Sequence, residues 1–178
     1  MSTNLLAMNI ATPKVERHTF AVLVDNEAGV LARVVGLFSG RGYNIESLTV
    51  AEIDPNAHTS RITIVTSGSV EVLEQIRAQL GRLVPVQRVV DWTVDKPGIE
   101  REMALVKVAG TGEKRVESLR MADAFRARPV DTTHTSFVFE ITGAPGKIDS
   151  FIDLMRPLGL VEVSRTGVAA ISRGPDAM

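Results

Sequence analysis

The chain predicts an α+β fold made of two successive β-α-β-β-α-β units. Three observations carry that expectation: β-branched and aromatic runs alternate with longer stretches of helical apolar spacing, the order recurs, and an Asp-Lys-Pro-Gly turn separates the two passes. With 178 residues, 44% hydrophobic and 23% charged, the chain can bury two ordinary cores.

His18 to Val24 (HTFAVLV) is β-rich and stops at Asp25-Asn26-Glu27, so it reads as a strand. Val30, Leu31, Val34, Leu37 and Phe38 then recur at helical spacing until Gly40 and Gly42 end the pattern. Asn44 to Ile53 and Ser60 to Thr66 flank Asp54-Pro55-Asn56, which predicts a hairpin. Val70, Leu73, Ile76, Leu80 and Leu83 form the stripe of a second helix. Val86, Arg88, Val90 and Trp92 alternate as a last strand. This is the ferredoxin-like order, in which two helices cover one face of a four-stranded antiparallel sheet.

The second pass reads as strand Glu102 to Ala109, helix Glu113 to Ala127 with Val116, Leu119, Ala122 and Phe125 inward, and strands Val130 to Thr133 and Ser136 to Thr142. Helix Gly146 to Arg156 follows, and Leu160 to Val163 turns through Gly167 into Val168 to Ile171. The spacing between matching elements shrinks along the chain, so the repeat is one of topology. The expected division is a disordered leader over 1–17 with Met8 as an alternative start, a first domain over 18–94, a linker over 95–99, a second domain over 100–173 and a frayed tail over 174–178.

Composition removes several chemistries. Without Cys there is no disulfide, thiolate metal site or thiol nucleophile. Lys plus Arg number 20 against 21 Asp plus Glu, so no basic surface for nucleic acid is expected, and no apolar run reaches the length of a membrane span. The strand Ser60 to Thr66 lacks the aromatic side chains on which RNA-recognition modules stack bases. His18, His58 and His134 fall at a strand start and in turns, with neither metal-ligand spacing nor a neighbouring triad, and are read as solvated. The pairs Asp25/Glu27 and Glu71/Glu74 sit at helix starts, where the helix dipole favours them.

One segment carries a binding mechanism. In Asp25-Asn26-Glu27-Ala28-Gly29-Val30-Leu31, Gly29 permits a tight turn or a close ligand, and free N–H groups at the helix start suit a carboxylate. Asn26 offers an amide, Asp25 a charge for an ammonium, and Val30 and Leu31 apolar contact, which together fit a free aliphatic amino acid. The same residues also fit Asn26 as a helix cap beside a permissive glycine.

The segment Asn26 to Leu31, then Arg33 to Ser39 (RVVGLFS) and Arg41 to Val50 (RGYNIESLTV), closely resembles the regulatory small subunits of acetolactate synthase, also called acetohydroxyacid synthase. The likeness continues through Ser60 to Ile64, Val72 to Ile76, Glu100 to Val108 and Ile171 to Gly174, and so spans residues 18 to 174. The leader, Asp25 where Glu is also familiar, and Ala28 where Ser is common depart from it.

The resemblance implies that residues 18–94 form an ACT domain that pairs with a second copy and holds an amino acid at the seam. Valine is the implied effector, with leucine and isoleucine as alternatives. Asn26, Gly29, Val30 and Leu31 of one chain would meet Asn44 and Ile45 of the other. It further implies a non-catalytic cytoplasmic homodimer, without cofactor, metal or catalytic residue of its own, that raises the activity of a separate catalytic subunit and makes it sensitive to valine in branched-chain amino acid biosynthesis. Thiamine diphosphate, Mg²⁺ and FAD would belong to that large subunit, which condenses two pyruvates, or pyruvate and 2-ketobutyrate, with loss of CO₂. A stand-alone ACT-type amino-acid sensor serving another partner is the alternative reading.

Overall fold

The computed structural model describes residues 14–54, 56–95 and 97–178. Most of the expected leader, residues 1–13, lies outside them, as do Pro55 of the hairpin turn and Lys96 of the expected linker. Within them, β1 (Glu16–Asp25), α1 (Val30–Arg41), β2 (Ser47–Asp54), β3 (Thr59–Gly68), α2 (Val70–Leu80) and β4 (Val86–Asp91) follow the expected order. The sheet runs β2-β3-β1-β4 with every neighbouring pair antiparallel. Phe20, Val22, Val24, Ile62 and Ile64 face Val34 and Phe38 of α1 and Leu73, Ile76 and Leu80 of α2 in one core cluster. Each such fully buried side chain contributes about 1.5–3 kcal/mol of transfer free energy.

The second unit repeats that architecture with β5 (Ile99–Ala109), α3 (Gly112–Ala124), β6 (Arg128–Thr132), β7 (Ser136–Gly143), α4 (Pro145–Gly159), β8 (Leu160–Arg165) and β9 (Ala169–Ile171). The order β6-β7-β5-β8 matches the first sheet, and β9 pairs with Ile99 to Arg101 at the start of β5. Its core joins Val106, Phe139 and Ile141 to Ile148, Phe151 and Met155 of α4, with Phe139 and Phe151 edge to face at 6.2 Å between ring centroids.

Several boundaries move for identifiable reasons. Glu16 and Arg17, assigned to the leader, already pair with Gly68 and Ser67 in the sheet. Asp95, assigned to the linker, is tied down by Arg77 at 2.7 Å, and Ile99 is the first residue of β5. On α3, Val116 and Leu119 point outward, because Ser118 and Ala122 occupy the core face while Arg115 lies over the Phe137 ring at 3.9 Å. His18 is no solvated residue: it is 5% exposed, and its Nδ1 lies 2.6 Å from the buried Asp91 carboxylate, 73 residues away in sequence.

A third apolar cluster lies between the two units. Ala21, Val65, Val90 and Trp92, on the side of the first sheet opposite its helices, are covered by Val168 and Ala170. Met178, assigned to a frayed tail, packs against the same cluster. Ser47 Oγ accepts a hydrogen bond from Val168 N, and Thr49 Oγ1 donates to Val168 O, both at 2.8 Å. Gly167, at φ +85°, makes that approach possible, since a Cβ there would lie 2.8 Å from Ser47 Oγ.

Candidate functional site

At the carboxyl end of β1 the chain leaves the sheet through an exposed loop, residues 26–29, and enters α1. Gly29 is the residue before the helix, in the left-handed region at φ +84°, and nothing lies within 4 Å of where its Cβ would be. Among the described residues no side chain caps this helix start, so Asn26 is not a cap. Its backbone N–H donates to His58 O at 2.6 Å, and its Nδ2 donates to Glu52 Oε1 at 3.1 Å, which pins the loop to the far end of β2. Val30 N donates to Glu27 O and Arg33 N to Gly29 O, leaving Leu31 and Ala32 as the N–H donors of the first turn without a backbone acceptor among the described residues. An open surface, uncapped N–H groups and the positive end of a helix are together chemically suited to a carboxylate.

The apolar residues divide between two roles. Val30, 6% exposed, belongs to the domain core and shapes the floor, whereas Leu31, 38% exposed, faces outward. Asp25 is held by Gln87, whose Nε2 donates to its Oδ1 at 2.5 Å. Asn44 and Ile45 lie at the other end of α1, which spans about 18 Å over its 12 residues. Asn44 is exposed, and its carbonyl accepts from Thr66 Oγ1 at 2.6 Å, while Ile45 packs partly on the core. One chain therefore gathers Asn26, Gly29, Val30 and Leu31, and holds Asn44 and Ile45 apart from them.

Between those two groups runs β2. It is the edge of its sheet, with Val50 44% and Ile53 47% exposed. Its first residue, Ser47, follows Asn44 by three positions, and Glu52 near its end holds Asn26. An unpaired edge with exposed apolar side chains is a template for another strand.

Of the two helix starts expected to carry paired carboxylates, α1 has no acidic residue in its first turn, Asp25 being the last residue of β1. At α2, Ser69 Oγ accepts from Val72 N at 3.4 Å, and the Ser69 hydroxyl holds the Glu71 carboxyl below its ordinary range, so the acidic residue there belongs to a helix cap. Among the described residues no group of three His, Asp or Glu side chains is placed to hold a metal, and no helix is long and apolar enough to cross a membrane.

Sequence reasoning missed the seam between the units as a site-bearing region. Next to the Ser47–Val168 contact lies a cleft of about 490 Å³, lined by charges from both units. Arg17 bridges Glu46 at 3.3 Å and Glu100 at 3.5 Å, while Arg165 bonds Glu102 and lies 2.7 Å from Asp149. Burial lowers the Arg165 guanidinium, and its bonds to Glu102 and Asp149 outweigh this and raise it above its ordinary value. Each of these charges already has a partner, and the groups converge through contacts across the fold that no local spacing encodes.

Comparisons with known proteins converge on one family. Residues 20–88 match the ACT domain of acetohydroxyacid synthase small subunits, and residues 101–174 match the small subunit of acetolactate synthase. A probable acetolactate synthase small subunit of Archaeoglobus fulgidus is 47% identical over 158 residues, covering 89% of this chain and 98% of that one. The isozyme 3 small subunit of Escherichia coli is 45% identical over 163 residues, covering 91% and 99%. The crystal structure of the small subunit from Thermotoga maritima superposes with a TM-score of 0.77 at 35% identity, covering 90% of this chain and 99% of that one.

Proposed function

Because the chain belongs to the small-subunit family of acetolactate synthase, a name that implies a large catalytic partner, we propose that it is a non-catalytic regulator which activates that partner and confers feedback inhibition by valine. The observation that carries the effector reading is the start of α1: an uncapped helix N-terminus beside Gly29, with open space before it and Leu31 exposed at its rim. A small amino acid would place its carboxylate on the Leu31 and Ala32 N–H groups and its aliphatic side chain toward Leu31.

Two copies complete such a site through β2. If two β2 edges pair antiparallel about a two-fold axis, the start of one strand lies beside the end of the other. Asn44 and Ile45 of one copy then approach the Asn26 and Gly29 loop of the second, which a single chain keeps at opposite ends of α1. A homodimer thereby carries two equivalent seams, each built from both chains. Thiamine diphosphate, Mg²⁺ and FAD chemistry stays on the large subunit, in the cytoplasm where both chains would work.

Mixing the chain with its cognate large subunit and titrating valine tests this reading. The expected result is a several-fold rise in acetolactate formation that valine reverses, with no turnover by the chain alone. A large subunit equally fast with and without the chain, both being folded, overturns the activator role. Activation that ignores valine, leucine and isoleucine overturns the effector role. Calorimetric valine binding without any effect on the large subunit would instead favour the stand-alone sensor.

A further inference from the structure

Several surface arginines of this chain face a carboxylate. Arg77 meets Asp95 at 2.7 Å, Arg128 meets Glu140 at 2.6 Å and Arg156 meets Asp153 at 3.0 Å. One groove differs. Where α1 lies beside α2, Arg33, Leu37, Arg41, Gln79, Arg82 and Leu83 line an open trough of about 520 Å³ with no acidic residue among them. Arg41 and Arg82 have no carboxylate partner among the described residues. Arg33 has only Glu27 at 3.8 Å, both side chains being more than half exposed, an arrangement of little energetic weight. Gln79 Oε1 is buried there without a donor among the described residues.

The arrangement follows from helix geometry. Residues 33, 37 and 41 recur every four positions and form one stripe along α1, while Val30, Val34 and Phe38 turn into the core. Arg41 in the last turn also favours the negative end of its helix. That effect accounts for neither Arg33 in the first turn, nor the apolar floor of Leu37 and Leu83, nor the orphaned Gln79 acceptor.

We infer that this α1–α2 groove is the surface that docks the large subunit, through an acidic amphipathic segment of that chain. Its carboxylates meet the three guanidinium groups, and its apolar side chains cover Leu37 and Leu83. The inference rests on the regulatory reading above. It also gives that reading a short physical route, because Gly29 and Arg33 stand one turn apart on α1, so a ligand at the helix start and a partner in the groove act on the same rigid element.

Full-length Arg41→Glu/Arg82→Glu and Arg41→Lys/Arg82→Lys variants, titrated into the cognate large subunit, test it. Charge reversal is expected to raise the half-saturating concentration for activation by about tenfold or more and to abolish co-elution, while the lysine variant stays near wild type. Homodimer mass and melting temperature should be unchanged in both, and wild-type association should weaken with added salt. A reversed variant that activates at the wild-type concentration overturns the inference alone, as does wild-type association indifferent to salt. Wild-type protein that captures single-stranded RNA through these arginines, with activation intact in the reversed variant, also overturns it. A wild-type chain that neither activates nor co-elutes removes the regulatory reading and this inference with it.

Discussion

Gly29 combines two requirements that a variant series can separate. Any side chain there meets the left-handed φ of +84°, but none meets a clash, because the space before it is open. Asn tolerates that backbone region and Asp shares its shape, so Gly29→Asn and Gly29→Asp differ mainly in charge. Gly29→Asp should abolish valine inhibition and spare activation, since its carboxylate repels the ligand's; Gly29→Asn should keep a measurable part of it. Valine titrations that coincide for wild type and Gly29→Asp would place the effector elsewhere. Asn44→Ala should weaken valine by about 1 to 2 kcal/mol, roughly tenfold, by removing a hydrogen bond across the proposed dimer seam. The loop was legible in the sequence because a glycine before an apolar periodic run is a local signal. The His18–Asp91 pair was not, since its partners are 73 residues apart and meet only when β1 and β4 align.

Among the elements, β2 has the widest reach: Glu52 holds the Asn26 loop, its outer edge is open, and Ser47 and Thr49 hold the N–H and the carbonyl of Val168. Ser47→Ala combined with Thr49→Val removes those two bonds, each worth about 0.5–1.5 kcal/mol net, a sum comparable to typical allosteric coupling of about 1–3 kcal/mol. The double variant should bind valine calorimetrically as wild type does and show reduced maximal inhibition. Full inhibition at the wild-type midpoint would remove Val168 from the coupling. Element order was legible from periodicity, and helix ends were less so: Leu83 fits the apolar stripe of α2, yet the helix stops at Leu80, and Arg82 and Leu83 tighten into i→i−3 bonds to Gln79 and Leu80. In β1 a signal was present and underused. Thr-Phe-Ala-Val-Leu-Val alternates too little for a sheet wet on one side, and Thr19, Phe20, Ala21 and Val22 are all buried.

For the whole molecule, that double burial means the two units share a core. Their separate hydrophobic clusters favour independent folding, but the third cluster joins Ala21, Val65, Val90 and Trp92 to Val168 and Ala170. A chain cut after Val94 should therefore melt below the full-length protein and self-associate through the bared face of its first sheet, while keeping both parts of the proposed effector site. Valine binding without inhibition in mixtures with the large subunit is the expected outcome. Full inhibition by the cut chain would show that the second unit is dispensable for transmission.

Trp92 is the sole tryptophan, sits in that shared cluster at 3% exposure, and has no hydrogen-bond partner for its indole nitrogen among the described residues. The isolated protein therefore carries a built-in optical gauge of its own domain seam. Its emission should be blue while the seam is closed and should move to the red as water reaches the ring, without any label. Separation of the two units can thus be followed apart from unfolding of either, by comparing the fluorescence midpoint with that of far-ultraviolet circular dichroism. A fluorescence change that precedes loss of secondary structure would identify the seam as the first part of the molecule to open.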